Sequence, residues 1–294
     1  MRISRRAALK SALLGGAAAI GATSGAASAA ASAERPVPPA DAVGLLYDTT
    51  LCIGCKACVV ACKEANGMPA DTRPPSHLYD RPDDLNSKTK NIIKLYRTAT
   101  EQSYVKRQCM HCIDPACVGA CMMGALKKRE LGIVSWDGTR CVGCRYCQIA
   151  CPYNIPKFEW TTAGRFYNPR IVKCELCRER LAEGKEPACT EVCPRHAVIY
   201  GTRESLLKEA KRRLAEHPDR YVPKVYGETE GGGTQVLYLS HVPFEKVGLP
   251  ALSDESLPAM VHKVQGTIYK GFVAPVALYG VLAAVISRNQ RHDR

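Results

Sequence analysis

Aromatic residues are scarce in this sequence of 294 residues: they make up 6% of it, with four Phe and two Trp. A chain so poor in large apolar rings has limited means to build a core, so we expect its fold to depend on internal staples. The sequence also shows no nucleotide-binding glycine loop, no nucleophile with a partner base and no nucleic-acid-binding motif. These absences argue against catalysis within this chain and against a nucleic-acid partner.

Cysteine, in contrast, is abundant, with 16 residues. The stretch from Cys141 to Pro152 has the spacing C-x2-C-x2-C-x3-C-P, with which bacterial ferredoxins hold a [4Fe–4S] cluster. The close spacing lets three thiolates of one loop converge on one cubane, while the fourth cysteine ligates the other cluster of a pair. The final proline has a fixed φ and donates no backbone hydrogen bond, which suits a turn. This stretch therefore predicts iron–sulfur binding.

Three related quartets accompany this stretch. One repeats the spacing, one reads C-x2-C-x4-C-x3-C, and one reads C-x2-C-x11-C-x3-C and is followed by Pro194. Their members are Cys52, Cys55, Cys58 and Cys62; Cys109, Cys112, Cys117 and Cys121; and Cys174, Cys177, Cys189 and Cys193. Because the four quartets use every cysteine of the chain, the sequence predicts four [4Fe–4S] clusters, which would also act as the staples.

Two other uses of these cysteines are disfavoured. Disulfides are common in exported proteins, and two C-x2-C pairs can form a zinc ribbon. Disulfides, however, do not require a spacing that directs adjacent thiols to one centre. A zinc ribbon has no use for the third and fourth cysteine of each quartet.

The formal net charge of +13 has two interpretations. It can form a basic face for an acidic partner or a membrane surface. We favour the second interpretation, in which basic side chains near the motifs offset the net negative charge of all-cysteine [4Fe–4S] sites. These side chains are Lys56, Lys63, Lys106, Arg107, Arg140, Arg145, Lys173 and Arg178.

Residues 1–33 predict a signal peptide. Arg5 and Arg6 stand in the stretch Ser4 to Lys10, which resembles the twin-arginine signal S-R-R-x-F-L-K but has Ala8 where Phe is usual. A weakly hydrophobic stretch with small-residue cleavage sites follows, and we expect cleavage after Ala33. The twin-arginine route carries folded proteins, so clusters built in the reducing cytoplasm would survive export to an oxidising compartment. The sequence therefore predicts a periplasmic location.

The segments between the quartets predict an α+β fold. The polar segment from Asn66 to Lys90 is interpreted as a surface insertion. Arg203 to Glu216 predicts a charged helix, and its apolar face would consist of Leu206, Leu207, Ala210 and Leu214. Short strands are predicted at Gly44 to Asp48, Ile92 to Tyr96, Ser103 to Lys106, Gly132 to Trp136, Ala197 to Tyr200 and Gln235 to Leu239. The second and third of these strands are expected to form a hairpin.

The C-terminal end predicts a membrane anchor. Residues 271–286 carry no charge and are largely apolar, and residues 267–287 reach the roughly 20 residues that a transmembrane helix requires. Pro275 is expected to kink this helix. By the positive-inside rule the basic tail, residues 288–294, would lie in the cytoplasm and the cluster domain outside. A buried core helix is the alternative interpretation.

The sequence resembles the iron–sulfur subunit of membrane-bound, periplasm-facing [NiFe] hydrogenases of the hydrogenase-2 type, within the four-cluster ferredoxin-like family. Besides the quartets, the similar stretches are Leu46 to Asp48, Asn91 to Ile93, Lys106 to Cys112, Ala125 to Lys128, Cys141 to Lys157, Lys173 to Cys177, Gly201 to Glu204, Gly231 to Val236 and Tyr269 to Gly271. The resemblance implies tandem ferredoxin-like modules with two clusters each. It also implies a non-catalytic subunit that relays electrons. The donor would be the small subunit of a hydrogenase that consists of a small and a large subunit, and the acceptor a multi-span, quinone-reactive membrane subunit.

The resemblance further implies which cysteines share a cluster, a pairing that the spacing alone leaves open. In subunits of this type the inner two quartets pair, and the outer two pair. Site 1 would then consist of Cys52, Cys55, Cys58 and Cys193; site 2 of Cys109, Cys112, Cys117 and Cys151; site 3 of Cys141, Cys144, Cys147 and Cys121; and site 4 of Cys174, Cys177, Cys189 and Cys62. The cluster domain would span residues 34–266. Its inner module would cover about 97–172, and its outer module about 41–66 with 173–202.

Three residues depart from the ferredoxin pattern or interrupt a motif. Cys62 and Cys121 are followed by Lys63 and Met122 rather than by proline. Because the ligands themselves are present, we expect both clusters to be retained. His111 lies between two ligands of site 2; we interpret it as a turn residue, with tuning of a potential or protonation as the alternative.

Three other functions stay open at this point. The β subunit of a formate dehydrogenase also has four clusters and one tail helix, but it usually lacks a signal of its own. The corresponding subunit of molybdopterin reductases of the sulfoxide type usually has no tail anchor. A redox sensor or a structural scaffold belongs to another class of protein, and no effector domain supports it.

Overall fold

The structure is a computed structural model that describes residues 37–80, 83–159, 170–256, 258–259, 271 and 275–288. The described residues up to Pro258 form one compact unit, and those from Ala259 onwards belong to a second. The predicted signal peptide, residues 1–33, lies outside the described residues.

The described part of the first unit contains nine short strands and six α-helices. The strands are β1 (Val43–Asp48), β2 (Ile92–Arg97), β3 (Gln102–Arg107), β4 (Leu126–Lys128), β5 (Val134–Trp136), β6 (Lys157–Glu159), β7 (Arg170–Val172), β8 (Val198–Thr202) and β9 (Val236–Leu239). The helices are α1 (Ala57–Ala65), α2 (Ala116–Gly119), α3 (Tyr146–Ala150), α4 (Arg178–Ala182), α5 (Ala188–Glu191) and α6 (Arg203–Glu216). Single 3₁₀ turns span Pro75–His77, Glu130–Gly132, Pro218–Arg220 and Glu230–Gly232. The expected mixture of α and β structure is present.

A three-stranded sheet in the order β8-β1-β9 joins the first strand of the chain to two much later ones. β1 pairs antiparallel with β8, where Leu45 lies opposite Tyr200, and parallel with β9, where Leu45 lies opposite Val236. Every residue of β1 is buried, as its central place requires. Gly44 permits the close approach of β9, because a Cβ at this position would lie 1.9 Å from the Gln235 carbonyl oxygen.

Helix α6 packs on this sheet. It begins after Thr202, whose hydroxyl accepts a hydrogen bond from the Ser205 N–H (3.3 Å) and so caps the helix. The apolar face of α6 contacts Leu46, Leu237 and Leu239 of the sheet. The predicted helix and its predicted face are therefore confirmed, with Leu206 and Ala210 buried and Leu207 and Leu214 half-buried.

Three antiparallel hairpins make up the rest of the β structure in the described residues: β2–β3, β4–β5 and β6–β7. The first confirms the predicted hairpin, with Ile92 opposite Arg107. The strand predicted from Gly132 begins later, at Val134, because Leu131 (φ 56°) and Gly132 (φ 70°) adopt left-handed conformations in a 3₁₀ turn. β4, β6 and β7 were not predicted.

The second unit contains a helical segment from residue 275 to residue 288. No helix in the part of the chain that the structure describes is both long and apolar enough to cross a membrane. The predicted span, residues 267–287, lies partly outside the described residues, which omit 267–270 and 272–274. The membrane anchor therefore stays a prediction, and residues 289–294 of the predicted tail also lie outside.

Candidate iron–sulfur sites

Each quartet opens with a turn that contains one left-handed residue just before the second cysteine. This residue is Gly54 (φ 73°), His111 (φ 47°), Gly143 (φ 72°) or Leu176 (φ 50°). Backbone N–H groups in these turns donate to the first thiol, as Gly54 does to Cys52 Sγ and Leu176 to Cys174 Sγ, both at 3.4 Å. Hydrogen bonds to sulfur are one means by which a protein sets the reduction potential of a cluster.

Two short helices each carry cysteines of two different sites. Helix α1 carries Cys58 of site 1 and Cys62 of site 4, four residues apart and therefore on one helix face. Helix α3 carries Cys147 of site 3, and Cys151 of site 2 directly follows its last residue. Each helix thus fixes the separation of two neighbouring sites within about one helical turn.

Two small cavities are bordered by complete predicted ligand sets. One cavity is lined by Cys52, Cys55, Cys58 and Cys193, among other residues, and these are the cysteines of site 1. A second cavity is lined by Cys121, Cys141, Cys144 and Cys147, among other residues, and these are the cysteines of site 3. The structure therefore brings both sets together, although each combines cysteines from two quartets.

Within the predicted sets of sites 2 and 4, cysteines act on one another's ionisation. Burial, and then the Cys109, Cys117 and Cys151 thiols, raise the pKa of Cys112 well above its ordinary value. Burial, and then the Cys174, Cys189 and Cys177 thiols, likewise raise the pKa of Cys62, against the opposing charge of Lys106. The two cavities thus bring the predicted sets of sites 1 and 3 together, whereas the sets of sites 2 and 4, and the role of all four sets as cluster ligands, stay predictions.

Helices α1 and α3 link sites 1 and 4 and sites 2 and 3, and electrostatic effects between thiols of different sets agree with the order 1, 4, 2, 3. Burial raises the pKa of Cys58 (site 1) to about 12, and among the neighbouring thiols Cys189 (site 4) contributes most. Burial and the Cys174 thiol (site 4) raise the pKa of Cys109 (site 2) to about 11. Burial and nearby thiols that include Cys147 (site 3) raise the pKa of Cys117 (site 2) to about 12.

The outer and inner sites differ in exposure. Cys55 of site 1 and Cys144 of site 3 are exposed, whereas every cysteine of sites 2 and 4 is buried or half-buried. None of the cysteines, all of which the structure describes, forms a disulfide. A zinc ion requires four donors within about 2.3 Å of one point. Across the described residues no group of three or more His, Cys, Asp or Glu is arranged to hold a single metal ion.

Two buried lysines test whether these sites suit an anionic cluster. Lys106 is fully buried and Lys173 is 2% exposed. Within the described residues neither ammonium has a carboxylate within 4.0 Å, and a buried charge without a counter-charge is strongly unfavourable. Although burial opposes it, the Cys189, Cys58 and Cys174 thiols raise the pKa of Lys106 above its ordinary value. Clusters of net negative charge in the neighbouring sites would supply the missing counter-charge, so the residues present fit the group.

The other six basic residues that we expected to offset cluster charge make different contacts or lie in solvent. The Lys56 ammonium donates to the Leu78 carbonyl and lies 3.7 Å from Asp83 Oδ2. Arg107 donates to the Tyr153 carbonyl at 3.2 Å. Lys63 is half-buried, and the exposed ones are Arg140, Arg145 and Arg178. Lys106 and Lys173 are thus the two of the eight residues that are buried with no carboxylate within 4.0 Å in the described part of the chain, and a charge-offsetting role of the other six stays a prediction.

His111 is a turn residue, as predicted. It is fully buried, and its Nδ1 accepts a hydrogen bond from the Val134 N–H at 3.1 Å. Accepting at Nδ1 places the proton of the neutral ring on Nε2. Burial, and then the charges of Lys173 and Lys128, hold the pKa of His111 well below its ordinary value. The alternative that His111 tunes a potential or is protonated stays a prediction.

The segment 66–90 contributes to the sites in a way that we did not predict. Asn66 Nδ2 donates to the Cys62 carbonyl (2.7 Å) and lies 3.7 Å from Cys62 Sγ. The Tyr79 hydroxyl donates to the Gly54 carbonyl (2.6 Å), and the Tyr79 ring lies 4.4 Å from the Lys56 ammonium. An asparagine directly after a helix is a weak sequence signal for the contacts of Asn66. Nothing in the cysteine spacing indicates the contacts of Tyr79.

Comparisons with known proteins agree with this site chemistry. Residues 100–203 match the sequence model of a family described as "4Fe-4S dicluster domain". The chain is 42% identical over 298 residues to "Hydrogenase-2 operon protein HybA" of Escherichia coli O157:H7, and the match covers 89% of each chain. It is 36% identical over 251 residues to "Formate dehydrogenase, nitrate-inducible, iron-sulfur subunit" of Escherichia coli K12, covering 82% of this chain and 81% of that protein. With a ferredoxin-like 4Fe–4S domain and this identity over nearly its full length, the chain belongs to the family of the hydrogenase-2 operon iron–sulfur protein HybA.

Proposed function

We propose that this chain is the electron-transfer subunit of a hydrogenase of the hydrogenase-2 type, and that it holds four [4Fe–4S] clusters in sites 1 to 4. Membership of the HybA family, the match to a 4Fe-4S dicluster domain, and the two cavities lined by the cysteines of sites 1 and 3 support this proposal. When bound, each cluster supplies a one-electron carrier whose potential depends on its surroundings. The chain contributes ligands, hydrogen bonds to sulfur and buried charge, and it is non-catalytic.

The observation that carries the proposal is the exposure of the two ends of the site order. Sites 1 and 3 each present an exposed cysteine, Cys55 and Cys144, whereas the inner sites present none. A relay needs this arrangement, because its end groups must approach the redox groups of partners while its inner groups need only approach each other. A sensor or a scaffold does not require four sites in one order with two accessible ends.

The partners follow from the family and are part of the proposal. Electrons would reach the chain from the hydrogenase small subunit, which works with its large subunit, and would leave to a multi-span membrane subunit that reduces quinone. Reverse flow would occur when the quinone pool is reduced. The ends of the chain's site order are the two places at which such partners would dock.

The location is proposed on sequence grounds. Residues 1–33 would direct export by the twin-arginine route with cleavage after Ala33, and residues 267–287 would anchor the chain on the periplasmic side of the cytoplasmic membrane. The cluster domain would span residues 34–266, with the inner and outer modules given above. Residues 288–294 would stay in the cytoplasm.

One experiment tests the export proposal. Arg5→Lys combined with Arg6→Lys should leave the chain in the cytoplasm, because the twin-arginine pair is the recognised signal. Arg2→Lys is a matched control outside the pair and should not change export. Recovery of the double variant from the periplasm at the level of the control would overturn the proposal.

A second candidate function has a specific observation in its favour. The 36% identity to a formate dehydrogenase iron–sulfur subunit covers most of both chains. The same four sites and the same relay would then serve a different catalytic partner. The signal at residues 1–33 favours the hydrogenase partner, because formate dehydrogenase subunits of this type usually cross the membrane with their catalytic partner.

The experiment that separates the two functions uses the tagged full chain, purified with its partners from membranes in mild detergent. The preparation is supplied with hydrogen or with formate, and reduction of a soluble quinone analogue is followed. We expect reduction with hydrogen and none with formate; the same purification from cells without the tagged chain is the control. Reduction with formate but not with hydrogen would show that the catalytic partner is a formate dehydrogenase. The proposed relay function would still hold.

A further inference from the structure

The inserted segment 66–90 begins and ends beside a cysteine of site 4. Its first residue is Asn66 and its last is Lys90, and the Lys90 ammonium donates a hydrogen bond to Asn66 Oδ1 at 2.6 Å. Asn66 directly follows helix α1 and lies four residues after Cys62, which that helix carries. The two ends of the segment are therefore joined to each other next to a predicted cluster ligand.

Asn66 directs its amide nitrogen at that ligand. Its Nδ2 donates to the Cys62 carbonyl oxygen at 2.7 Å and to Cys62 Sγ at 3.7 Å. A side-chain amide nitrogen carries two hydrogens, so it can serve both acceptors. Sulfur is a larger atom than oxygen, and hydrogen bonds to it are correspondingly longer. The contact to Cys62 Sγ is therefore a side-chain hydrogen bond to a predicted cluster ligand.

Lys90 determines which way this amide faces. An ammonium group has donors only, so the amide oxygen must face Lys90 and the amide nitrogen must face Cys62. The Lys90 side chain is only 13% exposed, and its ammonium lies 4.0 Å from Glu175 Oε2. Glu175 is held in turn, because its Oε1 accepts a hydrogen bond from the Trp136 N–H at 3.0 Å. Lys90 is thus a positioning residue, and its charge also polarises the amide that it contacts.

The corresponding ligand of site 2 has no such donor. Cys151 holds the place in its quartet that Cys62 holds in the first quartet, and both quartets have the same spacing. Four residues after Cys151 stands Ile155, which is buried and has no polar atom in its side chain. The two inner sites therefore differ by one side-chain hydrogen bond at equivalent cysteines.

The consequence follows from the charge that reduction adds. An all-cysteine cluster is anionic and becomes more so on reduction, so N–H groups that donate to its sulfur ligands stabilise the reduced form and raise the potential. We propose that Asn66, oriented by Lys90, donates a hydrogen bond to the Cys62 thiolate and thereby raises the reduction potential at site 4. This inference rests on the proposed function and refines it.

The first test removes the donor without adding a charge. Asn66→Leu replaces the amide by an apolar side chain of similar volume. The complete complex, solubilised from membranes, is titrated and followed by electron paramagnetic resonance, and the site 4 signal is the one that Cys177→Ser changes. We expect the equilibrium constant for reduction at site 4 to fall about tenfold, which is about 59 mV for one electron, with no shift at site 3. A fully loaded Asn66→Leu protein with the wild-type potential at site 4 would overturn the inference.

The second test acts on the orientation of the amide. Lys90→Met removes the group that holds the amide oxygen, so the amide can turn, and the equilibrium constant at site 4 should fall about threefold. Lys90→Arg keeps a cation with donors only and should hold the potential near that of the wild type. If Asn66→Leu loses iron from site 4, this pair decides. A shift in Lys90→Met but not in Lys90→Arg supports the inference, and equal potentials in the two variants contradict it.

Two controls separate the hydrogen bond from the anchoring of the segment and from the loss of a charge. Tyr79→Phe removes the bond from the middle of the segment to the Gly54 carbonyl and should leave site 4 unchanged. Lys208→Met, at an exposed lysine paired with Glu204 (2.7 Å), should shift no site. If Tyr79→Phe shifts site 4 as much as Asn66→Leu does, loosening of the segment explains the effect and the inference fails.

A spectroscopic signature tests the hydrogen bond directly. Two cavities are each lined by Asn66, Lys90 and Glu175, so water reaches the amide and its hydrogens exchange in deuterium oxide. Electron–nuclear double resonance of reduced wild-type protein should show an exchangeable proton at site 4 that Asn66→Leu lacks. The same set of exchangeable protons in both proteins would overturn the inference.

The wild-type protein distinguishes failure of this inference from failure of the proposed function. A wild type that lacks four clusters, or that does not couple hydrogen to quinone, removes the proposed function. A wild type that satisfies both, together with Asn66 and Lys90 variants of unchanged potential, removes only the role of these two residues.

Discussion

Sites 1 and 3 are built on the same cysteine spacing but have different surfaces. Cys55 and Cys144 occupy equivalent positions, and both are exposed. The next residue differs: Lys56 is only 6% exposed, whereas the equivalent Arg145 is exposed. The motif therefore determines which cysteine reaches the surface but does not determine what surrounds it.

The inserted segment 66–90 accounts for the difference at site 1. It supplies Leu78, whose carbonyl accepts from the Lys56 ammonium, and Tyr79, whose hydroxyl donates to the Gly54 carbonyl. Site 1 has three exposed large apolar side chains within two residues of one of its cysteines, namely Ile53, Val60 and Val192. Site 3 has five, and they are on average more exposed: Met122, Met123, Val142, Tyr146 and Ile149. Exposed apolar groups of this kind mark interaction surfaces, so we expect the two ends to dock partners by different means.

Removing a ligand at either end should have the largest effect. Cys147→Ala removes a site 3 thiolate, and Cys58→Ala removes its equivalent at site 1. If the relay uses both ends, each change should abolish hydrogen-driven reduction of quinone, while the catalytic partner still reduces an artificial dye. Val37→Ala, at an exposed residue outside the four sites, is the control and should keep the relay. Electron flow to quinone that survives Cys147→Ala would contradict a relay that ends at site 3.

The turn at site 1 is expected to tolerate an added methyl group poorly. Gly54 has φ +73°, and a Cβ there would lie 2.3 Å from the Tyr104 ring. Gly184 has the same φ, but nothing lies within 4 Å of its Cβ position. Both Gly→Ala changes strain the backbone, because alanine disfavours a positive φ. Gly54→Ala also forces the new methyl group against the Tyr104 ring. The free energy of unfolding should therefore fall by about 1–3 kcal/mol more in Gly54→Ala than in Gly184→Ala. Denaturant unfolding of the two variants provides the measurement, and equal losses would show that site 1 is not tightly covered.

The docking surfaces can be compared by introducing one charge at each end. Ile149 is 81% exposed on α3, and the equivalent Val60 on α1 is 47% exposed. We expect Ile149→Asp to weaken binding of the partner at site 3 about tenfold, or about 1.4 kcal/mol, because a charge would be buried in an apolar contact. Val60→Asp should leave that partner's affinity unchanged. The measurement is the affinity of each detergent-solubilised variant for the partner that binds at site 3. If both substitutions weaken this binding, or neither does, the proposed difference between the two ends is wrong.

The parts of the fold that were predicted correctly depend on local rules. The helix Arg203–Glu216 follows from the spacing of Leu206 and Ala210, and the hairpin β2–β3 from two short apolar segments joined by a turn. The grouping of cysteines within a quartet follows from their close spacing. Site residues that combine two quartets were expected only because the chain resembles a known family.

The contacts that the sequence did not indicate are non-local. β9 pairs parallel with β1 from the far end of the cluster domain, and no local pattern specifies such a pairing. The Val134 N–H that bonds His111, and the Gln108 acceptor of Lys106, become evident only once the hairpins are packed. A basic residue near a motif could be recognised in the sequence, but whether its charge faces a cluster or solvent depends on this packing.

The smallest expected effect concerns one hydrogen bond of the inserted segment. Tyr79→Phe removes the hydroxyl that donates to the Gly54 carbonyl but keeps the ring against Lys56. A bond of this kind contributes about 1 kcal/mol, so the segment should open about fivefold more often, and a ferrous chelator should remove iron from site 1 correspondingly faster. Tyr104→Phe, whose hydroxyl accepts only an exposed bond from Gln102 (2.7 Å), is the matched control. If Tyr79→Phe instead accelerates loss from site 3, or changes neither site, the segment does not protect site 1, and the difference between the two ends must arise from the apolar border of site 3 alone.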